Sequence, residues 1–243
     1  MGQLDGKVAI VTGGNRGIGK GIAKGLAAEG ASLTIAARNA ELLEQTAAEI
    51  RANGARVLAV PTDVTDEAQI KALFEKAMAE YGRLDIMVNN AGAFDGGPID
   101  ELSTEAWDWV IGVNLRAPFL CTREAVRIMK EQGQGGRIIN VGSISAHRVR
   151  PRTAPYSASK FGIWGLTQVT ALEGRPHGIT ASCLQPGNTY VERVQNRPQP
   201  PTEPMMDVDA LAQAAVLMAT LPPNINMLEA TVLPMGQLYI GRG

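Results

Sequence analysis

The chain has 243 residues, and its 23 lysines and arginines stand against 24 aspartates and glutamates, which gives a formal net charge of −1. A nucleic-acid partner is therefore not expected, because proteins that bind a phosphate backbone concentrate positive charge. Hydrophobic residues make up 45% of the chain and charged residues 19%, a composition that excludes a disordered chain. One α/β domain over 1–243 is predicted at this length, with two smaller domains as the alternative.

Targeting, membrane and metal-binding signals are not found in the sequence. The first residues lack the basic start and apolar run of a secretory signal, and no segment approaches about 18 unbroken apolar residues. We therefore expect a cytoplasmic protein with no membrane partner. Two cysteines, Cys121 and Cys183, and two histidines, His147 and His177, provide neither a disulfide framework nor the ligands of a metal site.

Short β-branched runs alternate with longer amphipathic segments in the first half of the chain, which is the pattern of successive βαβ units. Strands are predicted at 8–11, 33–36, 57–60 and 85–88. Helices are predicted from the glycine turn after the first strand to Gly30, over 40–52, and from an N-cap at Asp66 to Tyr81-Gly82. This alternation indicates a parallel sheet with helices on both faces.

The second half continues the alternation with longer helices. Helices are predicted at about 104–130, 154–172 and 208–220, and strands at 137–141, 180–184 and 230–233. Right-handed crossovers applied to this order give a doubly wound sheet of about seven parallel strands, the Rossmann fold. Prolines interrupt the pattern at 197–204, and this segment is either a plain surface loop or part of a substrate-covering loop over about 188–206.

A glycine-rich turn joins the first strand to the first helix, with the sequence Thr12-Gly13-Gly14-Asn15-Arg16-Gly17-Ile18-Gly19. Glycines let the backbone approach a pyrophosphate closely, and the helix N-terminus supplies unpaired N–H donors and positive potential. The residues predicted to bind a dinucleotide here are Gly13, Asn15, Arg16, Gly17, Ile18 and Gly19. The spacing departs from the common G-x-G-x-x-G pattern, and a tight turn without a ligand is the alternative interpretation.

The end of the second strand indicates which dinucleotide is bound. NAD sites usually place an acidic residue there for the ribose hydroxyls, whereas a 2′-phosphate requires an arginine. Ala37 stands at the position of the acid and Arg38 follows it, while Arg16 in the glycine turn can reach the same phosphate. Two guanidiniums and no carboxylate favour NADP(H), although either arginine alone is also compatible with a solvated surface charge.

Tyr156 and Lys160 lie four positions apart in a predicted helix, so they share one helix face. An ammonium beside a phenol stabilises the phenolate, which equips the tyrosine to exchange a proton. Ser143 leaves the fifth strand where its hydroxyl can donate a hydrogen bond to a substrate oxygen. In isolation each of these residues also has a structural interpretation, as packing, surface charge or turn former.

Further motifs follow the predicted elements in a fixed order: Asp63-Val64, Asn89-Asn90-Ala91-Gly92, Asn114, Ser143, Tyr156-x3-Lys160 and Pro186-Gly187. Together with the glycine turn, these motifs resemble those of the short-chain dehydrogenase/reductase family in its single-domain form. The resemblance runs from Lys7 to about Gly187, which is about three quarters of the chain.

The resemblance implies further cofactor-binding residues: Asp63 and Val64 at the adenine, then Asn90, Ala91 and Gly92, then Pro186 and Gly187. Asn114 would hold a water that relays protons toward Lys160. The family often has a threonine at the position of Val191, bonded to the nicotinamide carboxamide, and Thr189 is the nearby candidate for that contact. A role in joining neighbouring strands is the alternative for Asn90.

These residues predict an NADPH-dependent oxidoreductase that transfers a hydride between the nicotinamide and a carbonyl or secondary alcohol of a small molecule. In reduction Tyr156 donates the proton, Ser143 orients the oxygen, and Lys160 assists Tyr156 and holds the nicotinamide ribose. Three alternatives remain open. They are a cofactor-binding sensor or scaffold with little turnover, a 3-oxoacyl-(carrier protein) reductase, and a lyase or epimerase without net redox change.

Two surface features carry further expectations. Arg148, Arg150 and Arg152 precede Tyr156, and they either attract an anionic substrate or are solvated surface charges. The helices over 104–130 and 154–172 are apolar on several faces, which favours burial against another subunit. Since members of the family commonly pair these helices, we expect a homotetramer, with a dimer as the alternative.

Overall fold

A seven-stranded parallel sheet forms the centre of the computed structural model, which describes residues 2–195 and 201–239. Its strands are β1 (Val8–Thr12), β2 (Ser32–Ala37), β3 (Val57–Pro61), β4 (Ile86–Asn89), β5 (Gly136–Val141), β6 (Ile179–Pro186) and β9 (Glu229–Val232). A short parallel pair, β7 (Thr189–Tyr190) and β8 (Met206–Asp207), lies outside it. The order in the sheet is β3-β2-β1-β4-β5-β6-β9, which confirms the predicted doubly wound Rossmann fold.

Helices connect the strands and cover both faces of the sheet. They are α1 (Gly17–Ala28), α2 (Ala40–Arg51), α3 (Glu67–Tyr81), α4 (Thr104–Ile111), α5 (Ala117–Gln132), α6 (Ala154–Gly174), α7 (Glu192–Gln195) and α8 (Val208–Thr220). Within the described ranges, no helix combines the length and the apolar character needed to cross a bilayer.

Successive side chains of each central strand enter two different cores. In β1, Ala9 and Val11 pack with α1, α2 and α8, whereas Ile10 packs with α3 and α5 on the opposite face. All three side chains are fully buried. A strand that is covered on both faces needs apolar residues at every position, which explains the continuous apolar run in the sequence.

Capping residues start and end the helices that follow β2 and β3. Asn39 accepts a hydrogen bond from the Leu42 backbone N–H, and Asp66 accepts from the N–H groups of Ala68 and Gln69. Gly82, with φ of 70°, ends α3 in the left-handed conformation, which glycine adopts without steric penalty. These caps satisfy otherwise unpaired backbone groups, so each helix begins shortly after the carboxyl end of a strand.

Two elements differ from the predicted ones, and both lie near the candidate site. The predicted helix over 104–130 is divided into α4 and α5 by a π-helical segment at 112–116, which contains Asn114. Hydrophobic periodicity does not reveal such a local change of hydrogen-bond register. The predicted substrate loop over about 188–206 contains two short elements, β7 and α7, before its proline-rich part. The proline-rich part at 197–200 lies outside the described residues.

Candidate active site

A cavity of about 930 Å³ opens at the carboxyl edge of the sheet, where the strand order reverses between β1 and β4. Open α/β sheets bind their ligands at this switch point. The predicted site residues that line the cavity are Gly13, Asn15, Arg16, Gly17, Ile18, Arg38, Asp63, Val64, Asn90, Ala91, Gly92, Ser143, Tyr156, Lys160, Pro186, Gly187 and Thr189. The two predicted residues that do not line it are Gly19 and Asn114.

The glycine turn is held close to the turn that follows β4. Asn90 Nδ2 donates hydrogen bonds to the carbonyl oxygens of Thr12 (2.9 Å) and Gly13 (3.2 Å). A Cβ atom on Gly19 would stand 2.2 Å from the Gly13 carbonyl oxygen and 2.3 Å from Asn90 Nδ2. Gly19 therefore permits close packing behind the turn, and Asn90 joins two strands while also lining the cavity.

The carboxyl ends of β2 and β3 supply the polar groups at one end of the cavity. Arg38 follows β2, Arg16 lies in the glycine turn, and both side chains are exposed. Neither guanidinium forms an ion pair with any residue in the described part of the chain. The Asp63 carboxylate accepts hydrogen bonds from the Thr65 backbone N–H (2.9 Å) and hydroxyl (2.7 Å), which fixes the turn after β3. This end of the cavity offers two cationic groups to an anionic ligand.

Tyr156 and Lys160 lie on α6, whose first turn contains Pro155. Proline suits this position because its missing N–H would have no partner within the helix. The buried Lys160 Nζ donates a hydrogen bond to the Val141 carbonyl oxygen at 2.9 Å and lies 5.5 Å from the centre of the Tyr156 ring. The Phe94 ring packs against Tyr156 with a centroid separation of 5.1 Å. The Tyr156 ring thus has both an ammonium group and an apolar ring beside it.

Ser143 follows β5 and is buried, with its backbone extended. Its Oγ accepts a hydrogen bond from the Ser145 backbone N–H at 3.1 Å. Because this bond uses a lone pair of the oxygen, the hydroxyl hydrogen remains for donation. Ser143, Tyr156 and Lys160 line the same cavity, so the structure brings together three of the four predicted catalytic residues.

Asn114 is buried in the π-helical segment, and the protein satisfies both ends of its side-chain amide. Oδ1 accepts a hydrogen bond from the Ala93 N–H (2.7 Å), while Nδ2 donates to the Ala93 carbonyl (2.9 Å) and to Ser159 Oγ (3.2 Å). The side chain therefore fixes the loop after β4 to helix α6. The role of Asn114 in a water relay toward Lys160 stays a prediction.

The segment after β6 covers part of the cavity. The Asn188 backbone N–H donates a hydrogen bond to Gln237 Oε1 at 2.8 Å, and Asn188 Nδ2 donates to Glu203 Oε2 at 2.7 Å. Farther along, Glu192 Oε2 accepts a hydrogen bond from the Gly17 backbone N–H at 2.9 Å. Val191 and Glu192 line the cavity next to the glycine turn. The described part of the predicted substrate loop thus contacts the glycine turn through Glu192 and is attached to Gln237 through Asn188.

The three arginines before α6 are placed differently from one another. Arg150 lines the cavity, and its guanidinium lies 3.5 Å from Glu203 Oε2. The Arg148 guanidinium lies 5.2 Å from the centre of the Tyr239 ring. Arg152 has a positive φ of 64° and is exposed. Only Arg150 is therefore available to a ligand in the cavity, and a carboxylate already faces it.

The two cysteines contribute no nucleophile to the site. Burial raises the pKa of Cys183, next to Gly142, to about 12, and burial likewise raises the pKa of Cys121 to about 12. Such thiols stay protonated at neutral pH. Across residues 2–195 and 201–239, no group of three or more His, Cys, Asp or Glu side chains is arranged to hold a metal ion.

Several site residues were missed by sequence reasoning: Phe94, Gln185, Glu192, Glu203 and Glu229. The backbone N–H of Ser143 donates to Gln185, and Glu229 accepts from Gln185 in turn. Gln185 directly precedes the Pro186-Gly187 motif, and that position is the one signal in the sequence that draws attention to any of them. The other four residues can be recognised only from contacts between distant parts of the chain.

Comparison with known proteins identifies the family. The model of the short chain dehydrogenase family matches residues 7–201. The uncharacterized oxidoreductase YxjF of Bacillus subtilis is 42% identical over 191 residues, which cover 79% of this chain and 74% of that protein. The chain therefore belongs to the short-chain dehydrogenase family and is an oxidoreductase of that family.

Solved structures share the whole architecture. A metagenomic short-chain oxidoreductase in complex with NADP is 33% identical, with a TM-score of 0.85, and the match covers 97% of this chain and 100% of that chain. The 3-ketoacyl-(acyl-carrier-protein) reductase of Brucella melitensis, complexed with NADH, is also 33% identical with a TM-score of 0.85, covering 94% of this chain and 97% of that chain.

Proposed function

We propose that the protein is an NADP(H)-dependent oxidoreductase that interconverts a carbonyl compound and a secondary alcohol. One observation carries this proposal: a single cavity is lined both by Ser143, Tyr156 and Lys160 and by the glycine turn with its two arginines. Strands β1 and β4 lie between β2, which precedes Arg38, and β5, which precedes Ser143. The arginines and the residues proposed for catalysis therefore lie at opposite ends of the cavity, and an extended dinucleotide can reach from one end to the other.

The choice of NADP(H) rests on Arg16 and Arg38. Similar structures are described with NADP and with NADH, so the fold alone does not select a cofactor. At the end of β2, Ala37 and Arg38 line the cavity and no carboxylate does. Two guanidiniums favour a dianionic 2′-phosphate through charge and through paired hydrogen bonds.

A bound nicotinamide supplies the hydride for reduction or accepts it in oxidation. Tyr156 donates a proton to the carbonyl oxygen in reduction and removes it from the alcohol in oxidation. The Lys160 ammonium, held by the Val141 carbonyl, stabilises the phenolate that remains. Ser143 donates its hydroxyl hydrogen to the substrate oxygen and stabilises negative charge developing there.

The other lining residues have supporting roles in this proposal. Asp63 and Val64 contact the adenine, the turn at 90–92 lines the middle of the cofactor, and Pro186, Gly187 and Thr189 lie at the nicotinamide end. The Thr189 hydroxyl donates to the Gly187 carbonyl at 3.1 Å, and its oxygen can still accept from a carboxamide. Asn114 holds the loop after β4 and supports proton transfer toward Lys160.

Replacement of Tyr156 by phenylalanine tests the chemistry. We expect turnover of NADPH with a panel of aliphatic and aromatic ketones to fall by about a hundredfold or more, because the proton donor is removed. NADPH affinity, measured by fluorescence titration, should stay near that of the wild type. Tyr81→Phe is the control, since the Tyr81 hydroxyl donates to Leu33 away from the cavity. Retained turnover in Tyr156→Phe would show that another group transfers the proton.

A second candidate is a 3-oxoacyl-(carrier protein) reductase, which the similarity to the Brucella enzyme and the position of Arg150 in the cavity favour. An acetoacetyl thioester of phosphopantetheine should then be reduced with a much higher kcat/KM than simple ketones. NADPH binding without oxidation by any carbonyl of the panel would instead favour a sensor or scaffold.

A further inference from the structure

A series of polar contacts connects Ser143, at the beginning of a short loop, with His147, at the end of the same loop. The Ser143 backbone N–H donates a hydrogen bond to Gln185 Oε1 at 2.7 Å. The Gln185 Nε2 donates to Glu229 Oε1 at 3.0 Å, and His147 Nε2 lies 2.5 Å from the same carboxylate oxygen. Ser143 and His147 begin and end one short loop, so both ends of this loop are attached to one pair of side chains.

The surroundings of Gln185 are specific for its side-chain amide. It lies on β6, is fully buried, and has both ends of its amide satisfied by the contacts above. A Cβ atom at position 142 would stand 2.1 Å from Gln185 Oε1, so Gly142 is needed for the amide to reach Ser143. A buried amide is costly unless it is fully hydrogen-bonded, and an apolar side chain would fill the same space without that requirement.

These contacts fix Ser143 from two directions. Gln185 holds its backbone N–H, and the Ser145 N–H holds its Oγ. The pairing of β5 with β6 ends at Val141 and Leu184. The side chain of Gln185 continues the connection between the two strands beyond this last pair by its hydrogen bond to Ser143. Glu229, on β9, and the partly exposed His147 then prevent the Gln185 amide from turning.

We propose that Gln185, Glu229 and His147 are positioning residues that hold the Ser143 hydroxyl in its productive orientation. This inference rests on the proposed function, because it assigns the three residues to the hydrogen bond that Ser143 makes to substrate oxygen. They act through Ser143 and touch neither substrate nor cofactor. A purely structural role would instead lower stability without a specific dependence on Ser143.

A double-mutant cycle separates the two roles. Gln185→Met keeps the size of the side chain and removes both hydrogen bonds. We expect it to lower kcat by about tenfold to a hundredfold, since small displacements of a catalytic group cost this much, with KM and NADPH affinity little changed. In the Ser143→Ala background the same substitution should have almost no further effect on kcat. Losses that multiply would overturn the proposal, because Gln185 would then act independently of Ser143.

A measurement without cofactor or substrate addresses the same contact. Hydrogen exchange of the Ser143 backbone N–H should be at least about tenfold faster in Gln185→Met than in the wild type, since its acceptor is lost. Thr231→Val is the matched control, because Thr231 stands opposite Gln185 on β9 and is exposed. It should leave both exchange and kcat unchanged. Unaltered exchange in Gln185→Met would refute the positioning contact whether or not the enzyme turns over.

His147 is partly exposed and lies at the end of this series of polar contacts, so its variants should fold normally. His147→Ala should lower kcat about threefold to tenfold, and His147→Gln should restore it because its amide can again donate to Glu229. A failure of every ketone to oxidise NADPH with the wild type would contradict the proposed function. Turnover by the wild type combined with an unaffected His147→Ala variant would contradict the role of His147 instead.

Discussion

The glycine turn already holds one anion, the carboxylate of Glu192. Its Oε2 accepts the hydrogen bond of the Gly17 backbone N–H at 2.9 Å, in the first turn of α1. Backbone N–H groups at a helix N-terminus bind carboxylate and phosphate by the same electrostatic attraction. In the proposed function, a cofactor phosphate would therefore compete with Glu192 for this donor.

We expect Glu192→Gln to tighten NADPH binding by about twofold to fivefold, because the neutral amide competes less well for the helix N-terminus. Fluorescence titration of the purified variants measures the effect. Glu173→Gln, at an exposed position on α6, should bind NADPH as the wild type does. Weaker binding by Glu192→Gln would show that the carboxylate supports the cofactor site rather than competing within it.

Arg38 determines the cofactor in the proposed function. Its replacement by alanine should weaken NADPH binding by about one to two orders of magnitude, the effect of losing a hydrogen bond between two charged groups. NADH lacks the 2′-phosphate, so its affinity should change little. Parallel titrations with both cofactors decide the matter, and equal losses would refute the phosphate assignment.

At the residue scale, the sequence predicts a site where the residue type suggests the chemistry, and three of the predicted catalytic residues line one cavity. A phenol and an ammonium four positions apart on a helix are recognisable without a structure, as is a serine at the end of a strand. Glu192 and Gly17 are 175 positions apart, and Gln185 and Ser143 are 42 apart. No spacing rule connects such pairs, because their proximity results from the folding of the whole sheet.

At the scale of elements, Asp85 connects the beginnings of β1 and β4. Its carboxylate accepts hydrogen bonds from the Val8 backbone N–H (3.0 Å), the Lys7 ammonium (3.1 Å) and the Arg83 guanidinium (2.6 Å and 2.8 Å). Burial raises the pKa of Asp85, but the hydrogen bonds from Arg83, Val8 and Lys7 outweigh it, so the pKa lies below its ordinary value. The folded state therefore favours the ionised carboxylate.

A carboxyl group whose pKa is lowered by folding stabilises the protein above its ordinary pKa and loses this effect as the pH falls toward and below the folded value. We expect Asp85→Asn to lower the free energy of unfolding by about 2 to 3 kcal/mol at pH 7. The difference from the wild type should shrink when urea unfolding is repeated near pH 3. The exposed Asp100→Asn variant should show no such difference, and a constant effect of Asp85→Asn at both pH values would contradict the linkage.

The elements themselves follow largely from local pattern. The apolar runs, glycines and caps locate the seven strands of the sheet to within a few residues. The π-helical segment around Asn114 and the β7–β8 pair are not anticipated, since each depends on contacts with other parts of the site. Their local sequences are compatible with an ordinary helix and an ordinary loop.

At the scale of the whole molecule, apolar side chains lie on the outer surface of the long helices. The exposed fractions are 40% for Trp107, 47% for Phe119, 48% for Phe161, 50% for Val169 and 60% for Leu172. Val110, on the same helix as Trp107, is instead fully buried within the chain. Where such side chains form one continuous patch, the patch is typical of a subunit interface.

We therefore expect more than one 25.8-kDa subunit in solution at micromolar concentration, and four subunits are our specific prediction. Light scattering coupled to size-exclusion chromatography measures the mass directly. Phe161→Glu should shift the mass toward smaller species, because an interface does not accommodate an unpaired carboxylate. A monomeric wild type would contradict the prediction.

The sequence by itself determined the doubly wound sheet, the glycine turn and the residue types of the proposed catalytic group. It did so because strand burial, helix periodicity and turn chemistry are local properties of the chain. Only the tertiary structure decided that the Asn114 amide fixes a loop to α6, that Glu192 occupies the glycine turn, and that Gln185 holds Ser143. These features depend on side chains brought within hydrogen-bond distance by strand order and loop packing, and the linear sequence does not encode such distances locally.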